Sequence, residues 1–269
     1  MTAEAAAVCT GVVRIYWTPS GEVHALKGID AEFSRGALTA LVGPSGSGKS
    51  SLLRILAAID RPTAGSVLLG GEETAGLPPR RLRALRRRAI GYVFQRPSDN
   101  LVPHLTVAEH LEVAGGLRGG GETGLTELVE LLGIGGRAGH LPSQLSGGEQ
   151  QRVAFAQAAV GGPRLIVADE PTAELDSRTA GSLLDGVAAL AHTGAAVVVA
   201  THDPQVVSRA DRVLALRHGA LEAETRADRR LSVIDESGRI QLPPEMLALF
   251  PDRRAVISED DGEVRITPP

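Results

Sequence analysis

The string GPSGSGKS at residues 43–50 constrains this chain more than any other segment. It follows a short, wholly apolar run (ALTALV, 37–42) and opens a pattern of helical period over about 48–58. Strand, glycine-rich loop and helix in that order form a phosphate cradle. Gly43, Gly46 and Gly48 let backbone N–H groups turn inward, and the helix N-terminus adds positive potential. Lys49 is placed to reach the outer phosphates as a point charge, and the Ser50 hydroxyl to ligate Mg2+. Ser45, Ser47 and Ser51 belong to the same phosphate-binding stretch. Only Lys27 and Lys49 among the 28 basic residues are lysines, so a lysine at this place is informative. The alternative is a glycine-rich turn with an incidental lysine.

A P-loop needs a parallel sheet to stand on, and the rest of the chain supplies one. Strand-like stretches at 8–16, 23–33, 66–70 and 90–95 are followed by buried-type strands at 164–168, 195–200 and 211–216. Helical patterns at 79–88, 177–192 and 204–209 separate them, and a mainly helical stretch covers about 98–160. This alternation predicts an α/β fold with a mainly parallel sheet core, an antiparallel β subdomain and an inserted α-helical subdomain. A polar, charged stretch at 222–230 reads as a linker to a small C-terminal β-rich unit, 231–269. The chain is 43% hydrophobic, which suffices for a core, and its net charge of −4 speaks against nucleic acid as the main partner. Cys9 is the single cysteine, so no internal disulfide forms, which suits a reducing compartment. No apolar run reaches the length of a membrane span, and the N-terminal residues do not read as a signal peptide.

Two further strings carry chemistry. In LIVADE (165–170) an apolar strand delivers Asp169 to its C-terminal edge, where it can hold Mg2+ directly or through water. Glu170 comes next and can polarise an attacking water. A capped helix after a strand is the plain alternative, but two carboxylates ending a buried strand are costly without a cation or water to use them. In LSGGEQQR (145–152), Ser146, Gly147 and Gly148 precede a helical pattern, which makes a second anion site at a helix N-terminus. Ser146 and Glu149 also read as a capping pair, a role compatible with the first.

The order GPSGSGKS, GYVFQ, LSGGEQQR, LIVADEPT, LD, VVVATHD resembles the ABC ATPase superfamily over about residues 8–226. The resemblance implies a P-loop NTPase of the ABC ATPase fold that binds ATP and Mg2+ and hydrolyses ATP. It implies a head-to-tail homodimer in which each ATP lies between the P-loop of one copy and the LSGGE segment of the other. Carried over residue by residue, it makes Tyr16 the aromatic stacking on adenine, with Trp17 as a substitute, and Gln95 a contact to Mg2+ and the attacking water. Glu170 becomes the catalytic carboxylate, His202 the γ-phosphate sensor and Asp176 a cross-dimer contact. Without the family, Tyr16 reads equally as a strand core residue and His202 as a structural histidine; His104 and His192 read as structural in either case. Two departures stand out: Gln157 replaces the family's usual arginine, and the segment RPSDNLVP after Gln95 is slightly long.

The strings EVHALKGID, DRPTAGSVLLGG and HLPSQLSGGEQQRVAFA look most like the LolD, MacB and FtsE subgroup. That implies a separate transmembrane permease subunit of FtsX or MacB type and a place on the cytoplasmic face of the membrane. It also implies export or extraction of a substrate or, alternatively, regulation of a membrane partner without transport. The arginines from Arg80 to Arg88 read either as a solvated helix face or as a contact for anionic lipid headgroups. Residues 231–269 resemble the AbrB-type swapped hairpin through Asp235, Gly238, Arg239, Ile240, Leu242 and Pro243. Their acidic loop and few basic residues disfavour DNA binding and leave a dimer clamp or regulatory tail.

Overall fold

The computed structural model describes residues 4–19, 21–119, 125–226, 229–232, 246, 248–250, 254–260 and 263–267. Two long strands, β1 (Ala5–Thr18) and β2 (Gly21–Ser34), pair antiparallel. β3 (Leu38–Val42) leads into α1 (Lys49–Leu56). Next come β4 (Ala64–Leu69), β5 (Glu72–Glu73), α2 (Pro79–Ala89) and β6 (Ile90–Val93). The helical insertion holds α3 (Val107–Arg118), α4 (Leu125–Leu131) and α5 (Gly147–Ala159). After it follow β7 (Leu165–Asp169), α6 (Ser177–His192), β8 (Ala196–Ala200), α7 (Pro204–Val207), β9 (Arg212–Arg217), β10 (Ala220–Arg226) and β11 (Arg229–Ser232). A separate hairpin pairs β12 (Val256–Asp260) with β13 (Glu263–Thr267).

The main sheet has seven strands in the order β11-β10-β9-β3-β8-β7-β6. Its five strands from β9 to β6 are parallel. A second, antiparallel sheet runs β2-β1-β4-β5. Strand alternation divides the interior in two. Leu41, Leu165, Val167, Ala196 and Val198 face a core with α1 and the antiparallel sheet, where Leu52, Leu53, Leu56 and Phe33 are buried. Leu38, Ala40, Ile166, Val197 and Val199 face the other, built on α3, α5 and α6 around Phe155. Burying both faces explains why these strands read as continuous apolar runs.

The stretch read as a linker differs. Residues 220–226 form β10, an antiparallel neighbour of β9, joined through a two-residue turn in which His218 adopts φ 50°. Two of its charges pair across the hairpin. Arg212 makes two bonds to Glu224, at 2.8 and 2.9 Å, and Arg217 meets Glu222 at 3.5 Å. Of the C-terminal unit, β12 and β13 form a hairpin, while Asp235, Gly238, Arg239, Ile240, Leu242 and Pro243 lie outside the described residues.

Candidate active site

Three parallel strands end at one edge and carry the site. Leu41 of β3 and Asp169 of β7 both sit opposite Ala200 of β8, and Thr201 N–H then donates to Leu41 O at 3.0 Å. The loop after β3, the two carboxylates after β7 and the histidine after β8 therefore emerge side by side. The crevice outside the carboxyl ends of parallel strands is where such sheets bind ligands.

The loop at 43–50 is braced from several sides. Lys49 Nζ donates to Gly43 O at 2.8 Å and Pro44 O at 3.2 Å. Ser47 N–H donates to Pro44 O, and Gly219 N–H to Ser47 O, so the β9–β10 turn holds the loop from behind. Gly48 has φ 107°, and a Cβ there would lie 2.4 Å from Ala25 O of β2, so glycine is required. Gly46 and Ser45 are exposed, and Ser51 lies half-buried in the first turn of α1. The buried Ser47 Oγ has no partner among the described residues, an orphan that a ligand oxygen can satisfy.

The Ser50 hydroxyl stands close enough to Asp169 to lower its pKa, which brings the start of α1 next to the end of β7. Burial raises the Asp169 pKa most, and Glu170 beside it adds to the rise; Ser50 and Lys49 oppose it. A hydroxyl and a carboxylate beside a second carboxylate form a hard oxygen donor set, and a divalent cation would relieve the buried charge. Among the described residues no group of three His, Cys, Asp or Glu could hold a metal alone. The residues thus fit Mg2+ delivered with phosphate oxygens, the usual habit of that ion.

Glu170 adopts φ 44°, a left-handed conformation that costs a non-glycine residue about 1–3 kcal/mol. Its N–H is fixed by Ala200 O at 2.8 Å. Its carboxylate meets His202 twice, at the backbone N–H (3.4 Å) and at Nδ1 (2.9 Å). A carboxylate only accepts, so Nδ1 carries the proton in this contact. The His202 side chain is otherwise 77% exposed. Gln95 is exposed just past β6. Asn100 shapes the turn around it, bonding Phe94 N–H, Phe94 O and Arg96 O.

The LSGGE segment and Asp176 form a second group. Ser146 and Glu149 cap α5 reciprocally. The Arg137 guanidinium, 2.7 Å from Glu149, and the Ser146 bonds hold that carboxyl down at about 2. A Cβ on Gly148 would lie 2.1 Å from Thr179 Cγ2, so the start of α5 packs directly on α6. Gly147 lies beside Leu175. Asp176 caps α6 through Arg178 N–H and Thr179 N–H, and Thr179 Oγ1 donates to it at 2.6 Å. Among the described residues no hydrogen bond joins this group to the loop at 43–50.

Tyr16 sits in a cluster that sequence reading missed. Its hydroxyl donates to Asp60 at 2.9 Å, and the Arg14 guanidinium lies 4.4 Å from its ring centre. Asp60 also takes two bonds from Arg54 of α1, and its pKa is lowered, first by Arg54. Trp17 is 77% exposed. Asp203 was missed as well. It accepts from Thr172 Oγ1 and caps α7 through Gln205 N–H, tying the turn after β7 to the turn after β8.

The sequence matches the ABC transporter family over residues 26–173. An uncharacterized ABC transporter ATP-binding protein of Thermotoga maritima is 43% identical over 215 residues, 78% of this chain and 91% of that protein. The lipoprotein-releasing system ATP-binding protein LolD of Ruegeria pomeroyi is 40% identical over 222 residues, 80% of this chain and 96% of LolD. The macrolide export ATP-binding/permease protein MacB 1/2 of Paracoccus denitrificans is 42% identical over 220 residues, 80% of this chain; the chain spans only 33% of that protein. The dimeric structure of MJ0796, a bacterial ABC transporter cassette, superposes with a TM-score of 0.73 at 34% identity, covering 83% of this chain and 99% of the cassette. A post-hydrolysis MJ0796 dimer bound to ADP and Pi also gives 0.73, at 35% identity and 83% coverage.

Proposed function

We propose, for a chain that belongs to the ABC transporter family, the role of ATP-binding and ATP-hydrolysing subunit that drives a separate membrane permease. One observation carries the chemistry: Asp169, with Ser50 close by, and the Glu170–His202 pair stand beside the P-loop on one sheet edge. Backbone N–H groups of 43–50 and Lys49 bind the phosphates. Ser50, Asp169 and Gln95 would hold Mg2+, which neutralises charge on the transferred phosphoryl group. Glu170 orients the attacking water and takes its proton as the bond to the leaving ADP oxygen breaks. His202, held by Glu170, contacts the γ-phosphate, and Tyr16 or Trp17 stacks on adenine.

A second copy completes each site. Ser146, Gly147, Gly148 and Glu149 of one protomer face the P-loop of its partner, and Asp176 crosses the interface. The dimeric relatives support this reading, as does the division of the site into two unjoined groups within one chain.

Among the described residues no helix is long and apolar enough to cross a membrane. In this reading the permease is another chain and the subunit works as a peripheral protein on the cytoplasmic face; similarity to the ATP-binding protein LolD along 96% of its length supports it. Similarity to LolD along nearly its whole length favours export or extraction. The C-terminal unit acts as an AbrB-like dimer clamp; exposed Ile257 and Val264 on the terminal hairpin support a partner there.

The test is recovery of the chain from its own membrane with its partner identified, together with ATP-dependent dimerisation of the full chain and of residues 1–226. A copurifying permease, tighter dimers with the tail and steady ATP turnover are expected. Recovery without any membrane protein would end the permease reading, and equal dimerisation would end the clamp.

A further inference from the structure

We infer that α2 is a membrane-surface contact whose arginines bind the headgroups of anionic phospholipids. The helix carries Arg80, Arg81, Arg83, Arg86, Arg87 and Arg88, all exposed. With 28 basic and 32 acidic residues overall, the chain without these six arginines has 22 basic residues and a net charge of −10. The one strongly cationic helix thus stands out from an acidic protein.

Intrahelical stability does not explain the arrangement. Arg86, Arg87 and Arg88 suit the negative C-terminal end of the helix dipole, but Arg80 and Arg81 occupy the first turn, where positive charge is unfavourable. Arg80 and Arg83, Arg83 and Arg86, and Arg83 and Arg87 are spaced three or four apart, so like charges stack on one side. Ion pairing does not explain it either. Glu72 meets Arg81 at 3.6 Å and Arg88 at 3.9 Å. Arg80, Arg83, Arg86 and Arg87 have no carboxylate partner among the described residues.

The surroundings fit a lipid surface. Leu85 and Ala89 are buried, so the helix is anchored by one narrow face and presents the rest outward. On one flank a depression of about 560 Å3 is lined by Arg81, Arg87, Arg88 and Arg118 together with Glu72; Glu72 pairs with Arg81 and Arg88, and Arg118 is bound to backbone carbonyls, so Arg87 is the cation there left to meet a headgroup. Guanidinium groups bind phosphate oxygens in bidentate fashion and shed water more readily than an ammonium. On α3 next to it, Val113 is 51% and Leu117 57% exposed, apolar groups at the edge of the basic surface. A basic helix beside exposed apolar side chains is the composition of an interfacial contact. The inference does not require the permease; it concerns the chain alone against a bilayer.

The test uses the full chain with vesicles of phosphatidylcholine alone and with three parts in ten phosphatidylglycerol, in co-sedimentation at physiological salt. Binding is expected only to the anionic vesicles and is expected to weaken with salt. Each arginine near an anionic surface contributes about fivefold, so Arg83→Gln with Arg87→Gln should weaken partition by about twenty-five-fold. The lysine pair Arg83→Lys with Arg87→Lys should keep most of it, and basal ATP turnover in solution should not change in either. Inorganic phosphate at millimolar concentration should leave vesicle binding intact; full competition would mean a free-phosphate pocket and overturn the lipid assignment. Equal binding to both vesicle types, or no loss in the glutamine pair, also overturns it. If vesicles never bind but the glutamine pair loses a copurifying membrane protein, the arginines serve an acidic protein segment and the lipid reading fails.

Discussion

Glu170 offers a position where chemistry and strain separate. Its φ of 44° costs a non-glycine residue about 1–3 kcal/mol. Glutamine matches its size, keeps the same backbone penalty and can still meet His202 through its amide. Stability of Glu170→Gln should therefore stay within about 0.5 kcal/mol of the parent. The ability to take a proton from water is lost, so turnover should fall by about 10²–10⁴-fold, about 3–5 kcal/mol in the barrier. Glycine relieves the left-handed penalty but gives up the two contacts to His202, at 3.4 and 2.9 Å. Each is worth about 0.5–1.5 kcal/mol net, so Glu170→Gly should lie within about 1 kcal/mol of the parent and be equally inactive. Steady-state phosphate release and urea denaturation on the same preparations provide both numbers. Gel filtration with ATP should show a trapped dimer for the glutamine variant only. Turnover within about threefold of the parent would refute the assigned role of the carboxylate. A loss of about 3 kcal/mol in the glycine variant would refute the strain argument.

Gly48→Ala places a methyl 2.4 Å from Ala25 O at a φ of 107°. It should cost about 2 kcal/mol or more in urea denaturation and weaken binding of a fluorescent ATP analogue. Arg118 donates to Gln157 O at 3.0 Å, Ile90 O and Arg87 O at 3.2 Å, and Val160 O, and burial lowers its pKa. Arg118→Met keeps the stem but orphans these carbonyls. It should lose about 2–4 kcal/mol and speed amide exchange at the end of α5; a change below about 0.5 kcal/mol would contradict the clamp. Asp60 and Glu149 both have lowered pKa values, Asp60 chiefly through Arg54 and Glu149, at about 2, chiefly through Arg137. Their stabilisation is complete above the unfolded values of about 4 and is lost as pH falls through the lowered folded values, for Glu149 about 2. Denaturation midpoints between pH 5 and 2 should fall less steeply in Asp60→Asn and Glu149→Gln than in the parent.

Much of the site was legible because its signals are local. A glycine at 48, a serine before GGE at 146 and an apolar run ending in Asp169 each specify a turn, a cap or a strand end within a few residues. The doubly covered strands were legible for the same reason, as short continuous apolar runs. By contrast, the stretch at 222–230 looked like a linker because its charges are apparent in the sequence and their partners are not. Glu224 is twelve residues from Arg212, and only the hairpin brings them together. Tyr16 and Asp60 are separated by 44 residues, Thr172 and Asp203 by 31, Arg118 and Gln157 by 39. No periodicity or spacing rule links such pairs, because their contact depends on how two sheets and a helical insertion pack.

The sequence by itself determined the strand, glycine-rich loop and helix around residues 43–50, the α/β class and which residues end the apolar strands, since backbone dihedral preferences and strand burial act over short stretches. Tertiary structure alone decided that Ser50 stands near Asp169, that Glu170 is held left-handed against His202, and that four arginines of α2 are left without carboxylate partners among the described residues. Those are contacts, and absences of contact, between residues distant in the chain, which only the packing of parallel strands to a common edge brings into being.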